Sequence, residues 1–141
     1  MTRLHAAWAV ALVATLGSLY FSEVAGFVPC YLCWMQRVCM YPLAAQLGLA
    51  VLTGDVSHRR YALTLAVPGW LIAAFHILEE NHIVGGLAQC TVGAGGAGCD
   101  VKWINLLGFI TIPTLSFVAF SLIIILLSWR DRPSSARTLT T

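Results

Sequence analysis

Charge is what this chain has least of. Only 10% of its 141 residues are Asp, Glu, Lys or Arg, against 59% hydrophobic, and the mean hydropathy is +0.82. An ordinary soluble domain carries about 25% charged residues, so that class is excluded. The net charge of +2 gives no reason to invoke nucleic acid. C-x-x-C-H and G-x-G-x-x-G are both absent, which leaves covalent haem and the dinucleotide fingerprint of NAD or flavin enzymes without support. Strand-like alternation, internal repeats and interdomain linkers are also missing. The single low-complexity tract is Val92-Gly93-Ala94-Gly95-Gly96-Ala97-Gly98.

Long apolar sequence is what the chain has in abundance. A helix crossing about 30 Å of hydrocarbon needs roughly 20 apolar residues. Four stretches approach or reach that length: Leu4 to Ser22, Tyr31 to Leu52, Tyr61 to Leu78 and Leu106 to Ser128. Lipid offers no partner to an unpaired backbone group, so all four read as helices. The expected fold is an all-α integral membrane protein, one four-transmembrane-helix bundle over residues 1–130. Residues 79–105 form its outer loop, and the tail 131–141 is expected to fray. The first stretch follows Arg3 as a signal peptide would. Its apolar core exceeds the roughly 7 to 15 residues of such signals and no A-x-A-like exit follows, so it is read as a retained span.

Basic residues favour cytoplasmic loops. Six of the eight, Arg3, Arg59, Arg60, Arg130, Arg132 and Arg137, fall on the side shared by the N-terminus, the middle loop and the tail. Both termini are therefore expected in the cytoplasm. Cys30, Cys33, Cys90 and Cys99 then lie at the outer face, where disulfides persist. The fifth cysteine, Cys39, falls inside the second span and reads as a small buried hydrophobe.

Cys30 and Cys33 form a C-x-x-C in Pro29-Cys30-Tyr31-Leu32-Cys33-Trp34-Met35-Gln36-Arg37. Pro29 suits a helix start, so the helix should begin around Cys30 and carry both thiols on one face. Amide N–H groups at a helix start and a nearby cation both stabilise thiolate. Arg37, one turn beyond Cys33, supplies the cation. Its bland reading is a side chain snorkelling to the headgroups, while the functional one is charge stabilisation on Cys33 and on a bound redox carrier. Gln36, Trp34 and Tyr41 are candidates to line the carrier's site. A zinc half-site is the metal alternative for the C-x-x-C, and no metal is expected, given the outer location and apolar flank.

Cys90 and Cys99 flank a glycine-rich loop that can close with little strain. A structural staple and an exchanging disulfide both fit such a pair, and exchange requires access to an incoming thiolate. Val101 to Leu107 reads as an interfacial segment. His76 and Glu79 lie one turn apart at the outer end of the third span, with Glu80 and His82 following. A carboxylate and imidazole there can deliver protons, although a hydrated interfacial cluster explains them equally well.

At these residues the chain resembles the disulfide bond formation protein B (DsbB) family, and most closely its short, BdbC-like form. The resembling parts are Gly17-Ser18-Leu19-Tyr20-Phe21-Ser22-Glu23, Pro29 through Arg37 with Met40-Tyr41-Pro42, His76 with Glu79, Cys90 with Cys99, and Leu107-Gly108-Phe109-Ile110-Thr111-Ile112-Pro113. The resemblance implies a bacterial inner-membrane oxidoreductase. It would reoxidise an extracytoplasmic thioredoxin-like thiol oxidase of the DsbA or BdbD type and pass the electrons to membrane quinone, menaquinone or ubiquinone. It further implies redox disulfides Cys30–Cys33 and Cys90–Cys99, partner attack at Cys90, exchange of Cys99 with Cys30, and release of Cys33 beside the quinone with Arg37 at hand. The short loop departs from the longer family members, which puts the order of exchange in question. Two other readings are a thiol reductase running the opposite way and a disulfide-stapled scaffold without catalysis. Nothing in the chain demands a dimer.

Overall fold

The computed structural model describes residues 2–54, 57–84, 99 and 111–129, and within them all regular structure is helical. Helix α1 spans Thr2–Leu19, α2 Tyr31–Thr53, α3 His58–Glu80 and α4 Ile112–Ser128. Cys90, most of the outer loop and the tail from Arg130 lie outside the described residues.

Local chemistry sets the helix ends. At its C-terminus α1 runs into a π-helical turn, Tyr20–Val24, closed by Ala25 N–H on the Tyr20 carbonyl at 3.0 Å. Gly26 has a φ of 71°, a left-handed conformation that costs glycine little, and there the chain begins to turn back toward α2. Pro29 precedes an extended Cys30, the N-cap of α2, and Gly54 in the left-handed region ends that helix. Thr111 is extended, so the helix suggested by the apolar run from Leu106 starts at Ile112. Pro113 lies in its first turn, where a missing N–H costs nothing. Pro113 thus opens this helix and does not interrupt it. Pro42 and Pro68 do sit inside helices, α2 and α3.

By length and apolarity alone two helices qualify as membrane spans, Arg3–Val24 with mean hydropathy 1.6 and His58–Glu80 with 1.7. The other two expected spans fall short for separate reasons. Helix α4 has 17 residues, while α2 has 23 but carries Gln36, Arg37 and Gln46. Gln36 is buried and Arg37 half-buried, so polarity on α2 is turned into the bundle. The outward surface holds Val13, Leu16, Val38, Leu52, Leu71 and Ile125, all exposed. Apolar exposure of this kind fits lipid as the surrounding solvent.

The principal packing pairs are α1 with α2, α2 with α3, α3 with α4, and α4 with α1, an antiparallel four-helix ring. Arg3 at the start of α1 lies 5.2 Å from the ring centroid of Trp129, just past α4, which puts those two chain positions at one end of the bundle. Cys30 and the C-terminal part of α3 lie at the other. The core gathers Ala7 and Ala11 from α1, Met40, Leu43, Ala44 and Leu47 from α2, Ala62, Ala66 and Ala73 from α3, and Phe120, Ile123 and Leu127 from α4. Small residues on two of the helices let backbones approach closely, the dominant way of packing helices when lipid removes the hydrophobic drive between them. Gly69 is the extreme case, since an added Cβ would run into the ring of Phe120, which is fully buried.

Gly69→Ala should therefore lower stability. Overpacking costs about 1–3 kcal/mol, more than the roughly 1 kcal/mol of helix propensity that alanine gains. In detergent unfolding the loss should shrink when Phe120→Leu is added, and equal losses with Phe120 and with Leu at 120 would contradict the contact.

Candidate active site

The first turn of α2 builds the dithiol. As N-cap, Cys30 has its Sγ accepting the Cys33 backbone N–H at 3.3 Å, the role that a serine oxygen takes at other helix starts. The geometry that caps the helix also brings the two side chains together, and the Cys30 thiol donates to the Cys33 sulfur at 2.8 Å. Both are free thiols, as is Cys39, which packs half-buried against the main core. Cys30 is 5% exposed and forms a second apolar cluster with Leu32 and Cys99, against which Cys33, Ile72 and Phe75 pack. The Cys30 thiol is held above the usual cysteine range, first because it donates to Cys33 and then because it is buried, with His76 opposing both.

Cys99 is disulfide-bonded and 3% exposed, while Cys90 lies outside the described residues. The loop cysteine thus meets the dithiol on its Cys30 side.

On the other side is a cavity of about 580 Å³ between α1, α2 and α4, within the roughly 300–1,000 Å³ range of small-molecule sites. Its wall is almost wholly apolar, with Val10, Phe21, Phe27, Met40 and Leu115 among the lining residues, and its polar groups are few: Ser18, Cys33, Gln36, Arg37, Tyr41 and Ser116. Phe21 and Phe27, stacked with ring centroids 6.0 Å apart, flank the turn after α1. Arg37 donates to the Ser18 carbonyl at 2.9 Å and lies 5.4 Å from the Trp34 ring centroid. The guanidinium is thereby fixed across α1 and α2 beside the cavity. Tyr41, one turn deeper, has a buried hydroxyl without a hydrogen-bond partner among the described residues. An orphaned donor and a tethered cation on one apolar wall fit a ligand that brings carbonyl oxygens into lipid depth.

His76 and Glu79 do not line this cavity. Their end of α3 is not a hydrated cluster either: His76 is 2% exposed, Glu79 4% and Glu80 3%. His76 turns to the sulfurs. Its Nε2 lies 3.6 Å from Cys30 Sγ and 3.3 Å from the Cys99 carbonyl oxygen. Its Nδ1 lies 3.0 Å from the Gln36 amide nitrogen, and the Gln36 oxygen accepts from the Ser116 hydroxyl.

Cys30, Cys33 and His76 also offer three metal-type donor atoms within 4.8 Å of one another. A metal-binding imidazole gives its outer N–H to an acceptor, whereas here the Gln36 amide nitrogen, a donor, faces Nδ1.

Of the residues expected to serve a carrier, the structure brings Cys33, Gln36, Arg37 and Tyr41 to the cavity and turns Trp34 outward, 52% exposed. Reading the sequence assigned no role to Ser18 or Ser116, and it grouped Glu80 with His76 without its partner: the buried Glu80 Oε2 accepts from the Thr111 hydroxyl at 2.8 Å and ties α3 to the start of α4. The available signal for Ser116 was weak, one of several hydroxyls with Thr114 and Ser121 in an apolar helix.

The sequence profile of a family described as "Disulfide bond formation protein DsbB" matches residues 2–130. A "Probable disulfide formation protein" of Deinococcus radiodurans is 51% identical over 135 residues, covering 91% of this chain and 88% of the relative. "Disulfide bond formation protein C" of Bacillus subtilis is 48% identical over 122 residues, covering 86% and 87%. "Probable disulfide formation protein C 1" of Bacillus anthracis is 40% identical over 117 residues, covering 83% of each. No solved structure matches the chain.

The Cys30 thiol owes its raised pKa first to the Cys33 acceptor. In fully reduced Cys33→Ala that acceptor is gone, so Cys30 should ionise at lower pH and react faster with iodoacetamide at about pH 8.5, where an ordinary cysteine is half ionised. Peptide mass spectrometry reads the rate at Cys30, and an unchanged or slower rate in the variant would contradict the hydrogen bond.

Proposed function

The chain belongs to the disulfide bond formation protein DsbB family, and on that premise we propose that it is a quinone-dependent, protein-disulfide-forming oxidoreductase of the bacterial inner membrane. Its dithiol end faces away from the cytoplasm and both termini face in. The separation of the ends supports that orientation: Arg3, Arg59 and Arg60 lie at helix starts opposite the sulfurs, as the positive-inside bias requires.

One observation carries the reading. Cys33 lines an apolar cavity while Cys30 is packed with a disulfide-bonded loop cysteine, Cys99. A dithiol with one sulfur toward each compartment can take electrons from one and release them to the other. Cys90 is the mate of Cys99 in this proposal. The partner, a thioredoxin-like thiol oxidase, attacks Cys90 as thiolate and frees Cys99. Cys99 attacks the Cys30–Cys33 disulfide at Cys30. The Cys99–Cys30 bond forms, the Cys30–Cys33 bond breaks, and the electron pair leaves on Cys33 as thiolate. Resolution of the mixed disulfides leaves the partner and the loop pair oxidised and the dithiol at 30 and 33 reduced.

A quinone, menaquinone or ubiquinone, accepts two electrons and two protons and so turns one dithiol into one disulfide. Cys33 offers its sulfur to the cavity in which that acceptor is held. Arg37, fixed by the Ser18 carbonyl, would stabilise negative charge on Cys33 and beside it in the cavity, and Arg37 and the Tyr41 hydroxyl would be the donors that hold a quinone there. Phe21, Phe27 and the aliphatic wall keep water from that charge, and low dielectric strengthens both donors.

The test is turnover of a reduced thioredoxin-like partner with a short-chain quinone, followed by quinone absorbance. Wild type should consume quinone and Cys33→Ser should not; equal slow consumption by both would sink the mechanism. Tyr41→Phe should raise KM for quinone between about twofold and tenfold, the worth of one hydrogen bond, with kcat little changed. An unchanged KM would remove Tyr41 from the site.

A further inference from the structure

From the hydrogen bonds around His76 we propose that this residue is a clamp whose Nε2 proton holds Cys99 against Cys30, and that Gln36, bonded to Ser116, sets the tautomer that makes it one. This rests on the reading above, in which Cys99 exchanges with Cys30, and adds the group that holds the two together.

The chain of donors runs in one direction. The Ser116 hydroxyl donates to the Gln36 oxygen, which turns the Gln36 amide nitrogen toward His76 Nδ1 at 3.0 Å. An amide nitrogen only donates, so Nδ1 accepts and carries no proton. A carbonyl oxygen only accepts, so the Nε2 proton lies between the Cys99 carbonyl oxygen at 3.3 Å and the Cys30 sulfur at 3.6 Å. The larger radius of sulfur makes the longer distance a contact. His76 is 2% exposed and Gln36 6%, and buried polar groups of this kind are costly unless paired. The pairing they find fixes the ring and the amide in one arrangement.

The consequence falls on disulfide exchange. Attack on Cys30 requires the Cys99 sulfur to stay close to it. A hydrogen bond to the Cys99 backbone anchors that cysteine at the dithiol whatever the redox state of its sulfur. Nε2–H also faces the sulfur on which charge is shared as the Cys99–Cys30 bond forms and the Cys30–Cys33 bond breaks. His76 is thus a positioning residue for the exchange, and no proton leaves it.

The test uses the full chain in detergent with Cys33→Ser and Cys90→Ser, so that Cys30 and Cys99 pair with each other. Glutathione redox buffers then give the effective concentration of Cys99 at Cys30 by peptide mass spectrometry, with neither quinone nor partner present. Adding His76→Phe should lower that concentration about tenfold, the upper range for one hydrogen bond. His76→Gln, which restores an N–H near the Nε2 position, should recover most of it. Equal values for His76→Phe and its parent, or no recovery in His76→Gln, would overturn the clamp. On the unsubstituted chain, nitrogen NMR shifts of labelled His76 should show a protonated Nε2 and a bare Nδ1, exchanged in Gln36→Glu; the reverse pattern in the unsubstituted chain would overturn the tautomer. A chain that never reduced quinone would defeat the proposed function while leaving these readouts intact.

Discussion

The contact between the two sulfurs at the start of α2 is the interaction on which the site depends. Cys30 caps the helix through its sulfur, and that cap holds the sulfur within reach of Cys33. Pro29 and the extended backbone at Cys30 put the helix start at this position and no other. Because the cap is made by sulfur, the end of the helix and the reactive group are one structure. Moving the start of α2 by a residue would separate the thiols and turn Cys33 away from the cavity.

The two sulfurs face different surroundings, and the rest of the bundle maintains that difference. On the Cys30 side are Cys99, His76 and a small apolar cluster. On the Cys33 side are the cavity and Arg37. The cation is anchored by Ser18, just ahead of the π-helical turn, a departure from α-helix often found at functional sites. Gln36 belongs to both sides, lining the cavity while holding the ring that faces Cys30. Close packing of α3 and α4 through Gly69 and Phe120 keeps the helices that carry His76 and Ser116 in fixed relation.

Much of this was legible in the sequence, for a physical reason in each case. Low charge and four apolar runs imply helices in lipid, and Pro29 ahead of C-x-x-C implies a helix start at the thiols. Gln36, Arg37 and Tyr41 could be placed together on one side of Cys33, where the cavity lies, because they follow it within two turns of one helix. The direction of His76 could not, since the face an outer helix end presents is set by packing against other helices. Its partners Gln36 and Ser116 come from different helices, and pairings of that kind have no local signature. The same holds for Glu80 and Thr111. Ala62, Ala66, Gly69 and Ala73 put small residues along one helix face, and the clash that forbids a side chain at 69 appears only with Phe120 in place.

The central claim is that electrons leave the dithiol at 30 and 33 directly through Cys33 to a quinone, with the loop pair serving only to deliver them. Single-turnover oxidation of pre-reduced Cys90→Ser, Cys99→Ser protein by a short-chain quinone isolates that half of the path. The account predicts one quinol formed per chain with both thiols of the dithiol lost. Failure of this variant to reduce quinone, while the parent protein does so, would contradict it.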